Sequence, residues 1–332
     1  MNVNISANLK EQKLVQTNEI KLRGDKVRRK RKFEAFLTAF FRTVFLAGLC
    51  FVILYPTIQQ ILLAFRAAAD INDPSVIWIP KNWSVENFRY AAMVLDYWDA
   101  LVNTIKLSSI SMVLQVISTA LAGYAFARLK SPLTKVLFIF VILTIVIPPQ
   151  ALSLAQYLYF REVKLIGKET SIYLMSVLGM GIRSGIFIYI FQSFFKGLPK
   201  ELEESAQIDG AGVPRIFWNV MLPNARGAII TVALFAFVWQ WNDVYFAKIF
   251  EVSTAQFPIL TMRLLNASEN IYAALSYAGA LHLIGKDIWS NPMFLALVSN
   301  VAALLMMLPL LIMYLFVQKQ FVESIERTGI VG

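Results

Sequence analysis

Residues 199–223 read PKELEESAQIDGAGVPRIFWNVMLP, a charged and polar island in a chain that is otherwise apolar. Pro199 suits the first turn of a helix, and Glu201, Glu203 and Glu204 follow where acids favour the positive helix end. Asp209, Gly210 and Gly212 supply a stop. Pro214 can open a second helix, on which Ile216, Phe217 and Val220 fall at helical spacing before Pro223 ends it. The reading is a helix-turn-helix between two long apolar segments. It cannot sit in lipid, because its carboxylates and freed backbone groups need water or a protein partner.

The surrounding composition places the chain in a membrane. Of 332 residues, 58% are hydrophobic and 16% charged, too apolar for an ordinary soluble domain. Six segments are long enough to cross a hydrocarbon core, near 43–65, 103–126, 136–160, 170–195, 225–250 and 293–317. The expected fold is all-α integral membrane. Three parts follow: a basic arm 1–42, a single transmembrane domain 43–317 that includes the 199–223 loop, and a tail 318–332.

Orientation follows from Lys and Arg. With the amino terminus inside, twenty fall in the arm, the inner loops and the tail, and eight in outer loops. Both termini and the 199–223 loop then lie in the cytoplasm. The net charge of +10 becomes mainly a topology signal, with anionic lipid rather than nucleic acid as neighbour. The arm is too long for a signal-peptide n-region, so the first apolar run reads as an uncleaved anchor, although residues 67–69 resemble a cleavage site. Cys50, the single cysteine, excludes an intrachain disulfide and reads as a small buried hydrophobe.

The outer loops also carry pattern. Phe88, Ala91, Ala92, Leu95 and Trp98 repeat at helical spacing after a cap at Ser84, an interfacial helix with aromatics at headgroup depth. A second helical stretch lies around 271–283 and holds His282, the only histidine. Catalysis finds little support: no nucleophile-histidine pair or zinc-type spacing occurs. Gly167-Lys168 and Gly285-Lys286 lack the upstream glycine of a phosphate-binding loop, so the chain supplies no ATPase, holds no cofactor or metal, and is no enzyme.

Within the spans, Arg183 and Asp243 are costly unless paired or facing a watery cavity. They either pair with each other or line a path, where Arg183 would bind a carboxylate or hydroxyls. Trp239, Trp241, Tyr245 and Tyr173 are aromatic candidates for the same path.

Glu204-Ser205-Ala206, Asp209-Gly210-Ala211, Phe217 and Leu222-Pro223 together resemble the EAA loop of permease subunits of bacterial ATP-binding-cassette importers. Ser205 stands where that family usually has Ala. Asn103-Thr104, the AGYAFAR run 122–128, Ile147-Pro148, Phe187, the stretch 192–199, Trp241-Asn242-Asp243 and the tail extend the similarity to the carbohydrate type, to which the smaller maltose-permease subunit belongs. The resemblance covers roughly residue 40 to the end and does not extend to the basic arm. The resemblance implies a bacterial inner-membrane subunit that moves sugar inward by alternating access. It implies a heterodimer with a second permease, two ATPases that carry ATP and Mg, and an extracytoplasmic binding protein. In that family the loop docks in a groove of the ATPase. Glu204 and Asp209 would contact the ATPase, Gly210 would allow the bend, and Ile216 and Phe217 would fill apolar pockets in the groove. The competing reading is a membrane scaffold that binds some other partner through the same loop, or an importer of another solute.

Overall fold

The structure is a computed structural model that describes residues 2–71, 73–283 and 291–329, with side chains described within 31–320. The last residues of the expected tail, 330–332, and Gly285-Lys286 lie outside the described residues. Two units, Met1–Ile61 and Leu62–Gly332, are each described separately.

The first unit is one helix, most of α1 (Asn2–Ala64). The arm is therefore helical and continuous with the first apolar run, and the stretch Arg31–Ala64 is long and apolar enough to span. Cys50 is exposed on it, not buried as the sequence reading expects. Phe36, Phe45 and Phe51 stand exposed on it.

The second unit is built from α2 (Glu86–Leu95), α3 (Tyr97–Arg128), α4 (Pro132–Val146), α5 (Ser153–Glu162), α6 (Thr170–Val177), α7 (Ser184–Gly197), α8 (Glu201–Ile208), α9 (Val213–Ile216), α10 (Leu222–Asn224), α11 (Arg226–Trp241), α12 (Tyr245–Ile249), α13 (Leu260–Leu265), α14 (Ala267–Tyr277) and α15 (Pro292–Gly329). There are no strands among the described residues, only a bridge between Arg66 and Trp83. Three uninterrupted helices, Arg31–Ala64, Tyr97–Arg128 and Pro292–Gln320, are long and apolar enough to cross a membrane. The other expected spans are broken. α4 and α5 meet at 105° where Pro148 and Pro149 deny the backbone its donors. α6 stops at Val177 and α7 begins at Ser184, so the fourth apolar segment is two helices.

α3 packs along α7 and α11 and so joins three apolar cores. One core lies under α2, α14 and α15 and includes Leu95, Ile271, Phe294 and Val301. A second, around Phe187, Phe191, Phe195, Phe217 and Val232, ties α7 to the 199–223 hairpin and α11. The third holds Leu107, Phe160, Ile172 and Phe250. The expected helix in the first outer loop is α2, and Tyr90, Ala91, Val94 and Leu95 bury one face of it against α14 and α15. Trp98 alone of that set is largely exposed, because Asp96 takes a left-handed φ of 50° and turns α3 away from α2.

The loop between α1 and α2 is held by carboxylates. Asp70, buried, accepts from the Asn82 backbone N–H (2.7 Å) and from Asn82 Nδ2 (2.6 Å), and the backbone bond chiefly holds its pKa low despite burial. Lys81 Nζ, 2.7 Å from Asp73, together with Ser75, likewise keeps Asp73 well below the usual carboxylate range. Depressed native pKa values mean that this contribution is full above the unfolded carboxylate value and lost as pH falls through the native ones. Amide exchange in this loop, corrected for intrinsic rates, is expected to stay slow down to about pH 4 and to accelerate below it. Loosening on raising the pH would contradict this.

Candidate functional site

The 199–223 island folds as a hairpin. α8 starts with Glu201, Glu203 and Glu204 in its first turn, where the helix dipole favours acids. It ends in a Schellman motif: Ala211 N–H donates to Ala206 O and Gly210 N–H to Gln207 O, both at 2.9 Å. Gly210 occupies the left-handed position at φ 79°, open to solvent with nothing within 4 Å of where a Cβ would stand. A side chain there would be strained by backbone geometry, not by crowding.

The second arm is longer than the sequence reading has it. α9 runs into a π-helical turn, Phe217–Met221, and then α10, which ends at Asn224. Pro223 therefore does not end the helix. Lacking an N–H, it removes the bond to Asn219 O, and the preceding turn widens. Asn224 Nδ2 donates to Val220 O (2.7 Å), and the chain then bends 81° into α11.

Burial divides the hairpin into two faces. Ile216 (1% exposed), Phe217 (2%) and Met221 (0%) sit in the chain's own core, where Phe217 lies 5.3 Å from Tyr124 and 6.4 Å from Phe195 by ring centroids. This corrects the expectation that Ile216 and Phe217 fill pockets of a partner: their apolar surface is already covered by α3 and α7. The outward face carries Leu202, Ile208 (87% exposed), Val213 and Trp218, with Glu204, Ser205, Asp209 and Gly210 exposed beside them. Ala206 and Ala211 are half-buried against the core. Ser205 turns its hydroxyl back to Glu201 O (2.7 Å), so the departure from Ala lies on the exposed side.

Sequence reasoning missed the joint that positions the hairpin. Arg128, last residue of α3, donates from Nε to Glu203 Oε1 at 2.6 Å and from Nη2 to Leu198 O at 3.1 Å. Seventy-five positions separate the pair, and no local spacing marks it.

The expected path residues separate. Arg183 is exposed in the break between α6 and α7, with its guanidinium 5.8 Å from the Trp239 ring centre. Asp243 lies elsewhere: buried, it accepts from Phe246 N–H (3.2 Å) and Ala247 N–H (3.1 Å) at the start of α12. The expected Arg183–Asp243 ion pair is absent. Those backbone donors supply what a cation was expected to supply. Trp241 is 1% exposed and its carbonyl accepts from Thr261, so it is core, not lining. Tyr245 donates its hydroxyl to Pro149 O (2.8 Å), bracing α12 against the bend between α4 and α5. Tyr173 is half-buried in the third core.

Residues 119–327 match the family model of the binding-protein-dependent transport system inner membrane component, and the chain belongs to this family. It is thus a non-catalytic permease subunit of an ATP-binding-cassette importer, a bacterial inner-membrane protein. It is 24% identical to the arabinooligosaccharide transport permease AraQ of Halalkalibacterium halodurans, over 91% of this chain and 100% of that one. With the maltodextrin permease MdxG of Bacillus subtilis it shares 28% over 87% of this chain and 95% of the other. Among solved structures, a chain of a bacterial ABC transporter involved in import of the acidic polysaccharide alginate has the same fold: TM-score 0.68, 20% identity, 86% of this chain and 96% of that one.

Proposed function

We propose that the chain moves a saccharide inward and that the 199–223 hairpin is its ATPase dock. The apolar outward face of the hairpin carries this reading. Leu202, Ile208, Val213 and Trp218 stand exposed around Gly210 on a hairpin whose other face is anchored by Ile216 and Phe217. Apolar side chains so exposed on an element rigidly seated from beneath are what a protein partner covers. A seated hairpin also transmits force, because pushing it moves α3, α7 and α11, which share its core.

On this reading six segments cross the membrane, the third, fourth and fifth as broken helices, a form tolerated where the freed backbone is buried in protein or lines a watery path. Both termini and the hairpin are cytoplasmic. The chain pairs with a different permease subunit and works with two ATPases, which carry ATP and Mg, and an external binding protein. The domain division is the arm 1–42, the membrane domain 43–317 and the tail 318–332. The carbohydrate assignment draws on AraQ and MdxG, whose names specify oligosaccharides.

Ile208→Asp with Val213→Asp tests the dock, since both side chains are exposed and the fold does not need them. Co-purified with its genomic neighbours, the wild type is expected to carry an ATPase and a second permease. The double variant should lose at least ~90% of the ATPase, about 1.4 kcal/mol or more of docking energy, and keep the second permease. An ATPase retained in full would sink the assignment.

A further inference from the structure

We infer that the cleft between the α2–α3 corner and the α13–α14 corner is an outer-face capture site for a neutral saccharide. Its placement outside rests on the importer reading, which puts both corners in outer loops.

The cleft has room and a fixed floor. It holds about 640 Å³, inside the range of about 300–1,000 Å³ usual for small-molecule sites. Val94, Tyr97 and Ala274 line it from beneath and are buried. Tyr97 donates its hydroxyl to Leu305 O (3.3 Å), which ties the floor to α15. Asp96 sets the first corner. At its left-handed φ of 50° its N–H donates to Met93 O (3.1 Å), while its carbonyl accepts from Ala100 N–H (2.9 Å). At the second corner, Asn270 Nδ2 reaches Arg263 O at 3.5 Å, across the turn from α13 into α14.

The charges around the cleft cancel. Arg89 and Arg263 line it together with Asp96 and Asp99. One loose contact joins them: Arg263 Nη2 lies 3.4 Å from Asp96 Oδ2, with the side chains 29% and 47% exposed. Arg89 and Asp99 form no ion pair among the described residues, where the pairs are Lys81–Asp73, Arg128–Glu203 and Arg263–Asp96. An anionic ligand would meet the two carboxylates and a cationic one the two guanidinium groups, each at a like-charge cost. An apolar ligand would strip water from all four and return nothing. A hydroxyl suits both signs, since it donates to a carboxylate and accepts from a guanidinium.

Two aromatic side chains complete the ligand class. Trp98 is 74% exposed and Tyr277 87% exposed, and both line the cleft from different helices. Trp98 meets Tyr97 edge-on, at 5.3 Å and 71°, which leaves indole surface open. An open aromatic face takes the C–H face of a sugar ring by apolar contact, while the ring hydroxyls reach the acids and arginines. A small zwitterion would satisfy the charges but leave both rings and most of the volume unused. A neutral saccharide of a few units uses all of them.

The test uses the permease–ATPase complex in nanodiscs, with no binding protein added. Linear trimers of glucose, galactose and arabinose are titrated beside glycine betaine, the zwitterionic comparator, and trigalacturonate, the anionic one. Calorimetry and intrinsic fluorescence are the readouts. At least one neutral trimer is expected to bind about tenfold or more tightly than either comparator. Trp98→Ala should weaken that trimer about tenfold and abolish the fluorescence response, and Tyr277→Ala and Asp99→Asn should each weaken it about threefold. All three positions are exposed, so an unchanged melting temperature is the folding control. Binding by none of the trimers, tighter binding of a comparator, or trimer affinity unchanged in the Trp98→Ala, Tyr277→Ala double variant overturns the inference. If that double variant keeps the trimer but loses an added binding protein, the cleft is a protein dock and the inference falls as well. ATPase retention is scored separately: its absence from the wild type counts against the importer reading, while the trimer titration still decides the site.

Discussion

Gly123→Val is expected to leave little folded protein. A Cβ at Gly123 would stand 2.5 Å from Phe191 Cβ, 2.9 Å from Gln192 N and 3.1 Å from Ile188 O. Two of those are backbone atoms of α7, which cannot rotate away. The valine must push α3 and α7 apart along the contact that also seats the hairpin core. Overpacking of a tight site costs about 3 kcal/mol or more when no side chain can yield. The apparent melting temperature of the detergent-solubilised chain should fall by about 10 °C, or the monodisperse peak should vanish. Gly48→Val is the matched control, with nothing within 4 Å of its Cβ. Equal behaviour of the two variants would mean that α3 and α7 do not approach so closely.

Arg128→Ala should be the next most damaging change. Arg128 and Glu203 are 13% and 14% exposed, so removing the guanidinium leaves a carboxylate in a nearly dry place. Breaking such a buried pair from one side costs about 3–5 kcal/mol, because the desolvation of the survivor is no longer offset. Replacing both should recover part of that loss, with a coupling of about 1–3 kcal/mol in a double-mutant cycle on thermal unfolding. The pair fastens the hairpin to α3, so import driven by ATP should fall further than stability alone explains. Additive losses would show that the pair carries no joint energy. Arg263–Asp96, at 3.4 Å and 29% and 47% exposed, is the control in which truncation should hardly matter.

Much of the hairpin was legible because its signals are local. Acids in the first turn, Gly210 at a left-handed position and Pro214 near a helix start act within one or two turns. Membrane residence was equally legible from apolar length. The sequence reading erred where a residue's partner lies far along the chain. Phe217 looks like a docking side chain until Tyr124 and Phe195 cover it. Asp243 looks like the partner of Arg183 until its own backbone turn satisfies it. α2 carries the pattern of an amphipathic helix, and that spacing does not name α14 and α15 as what its apolar face packs on.

By itself, then, the sequence determined that this is a helical membrane protein with a polar helix-turn-helix, since hydropathy, capping and turn chemistry are short-range, and its motifs carried the resemblance to permeases. Only the tertiary structure decided which face of that hairpin is free, where the spans break, and that Arg183 is left without a carboxylate. Those outcomes depend on side chains such as Arg128 and Trp239, brought beside their targets from distant parts of the chain by packing that no local pattern encodes.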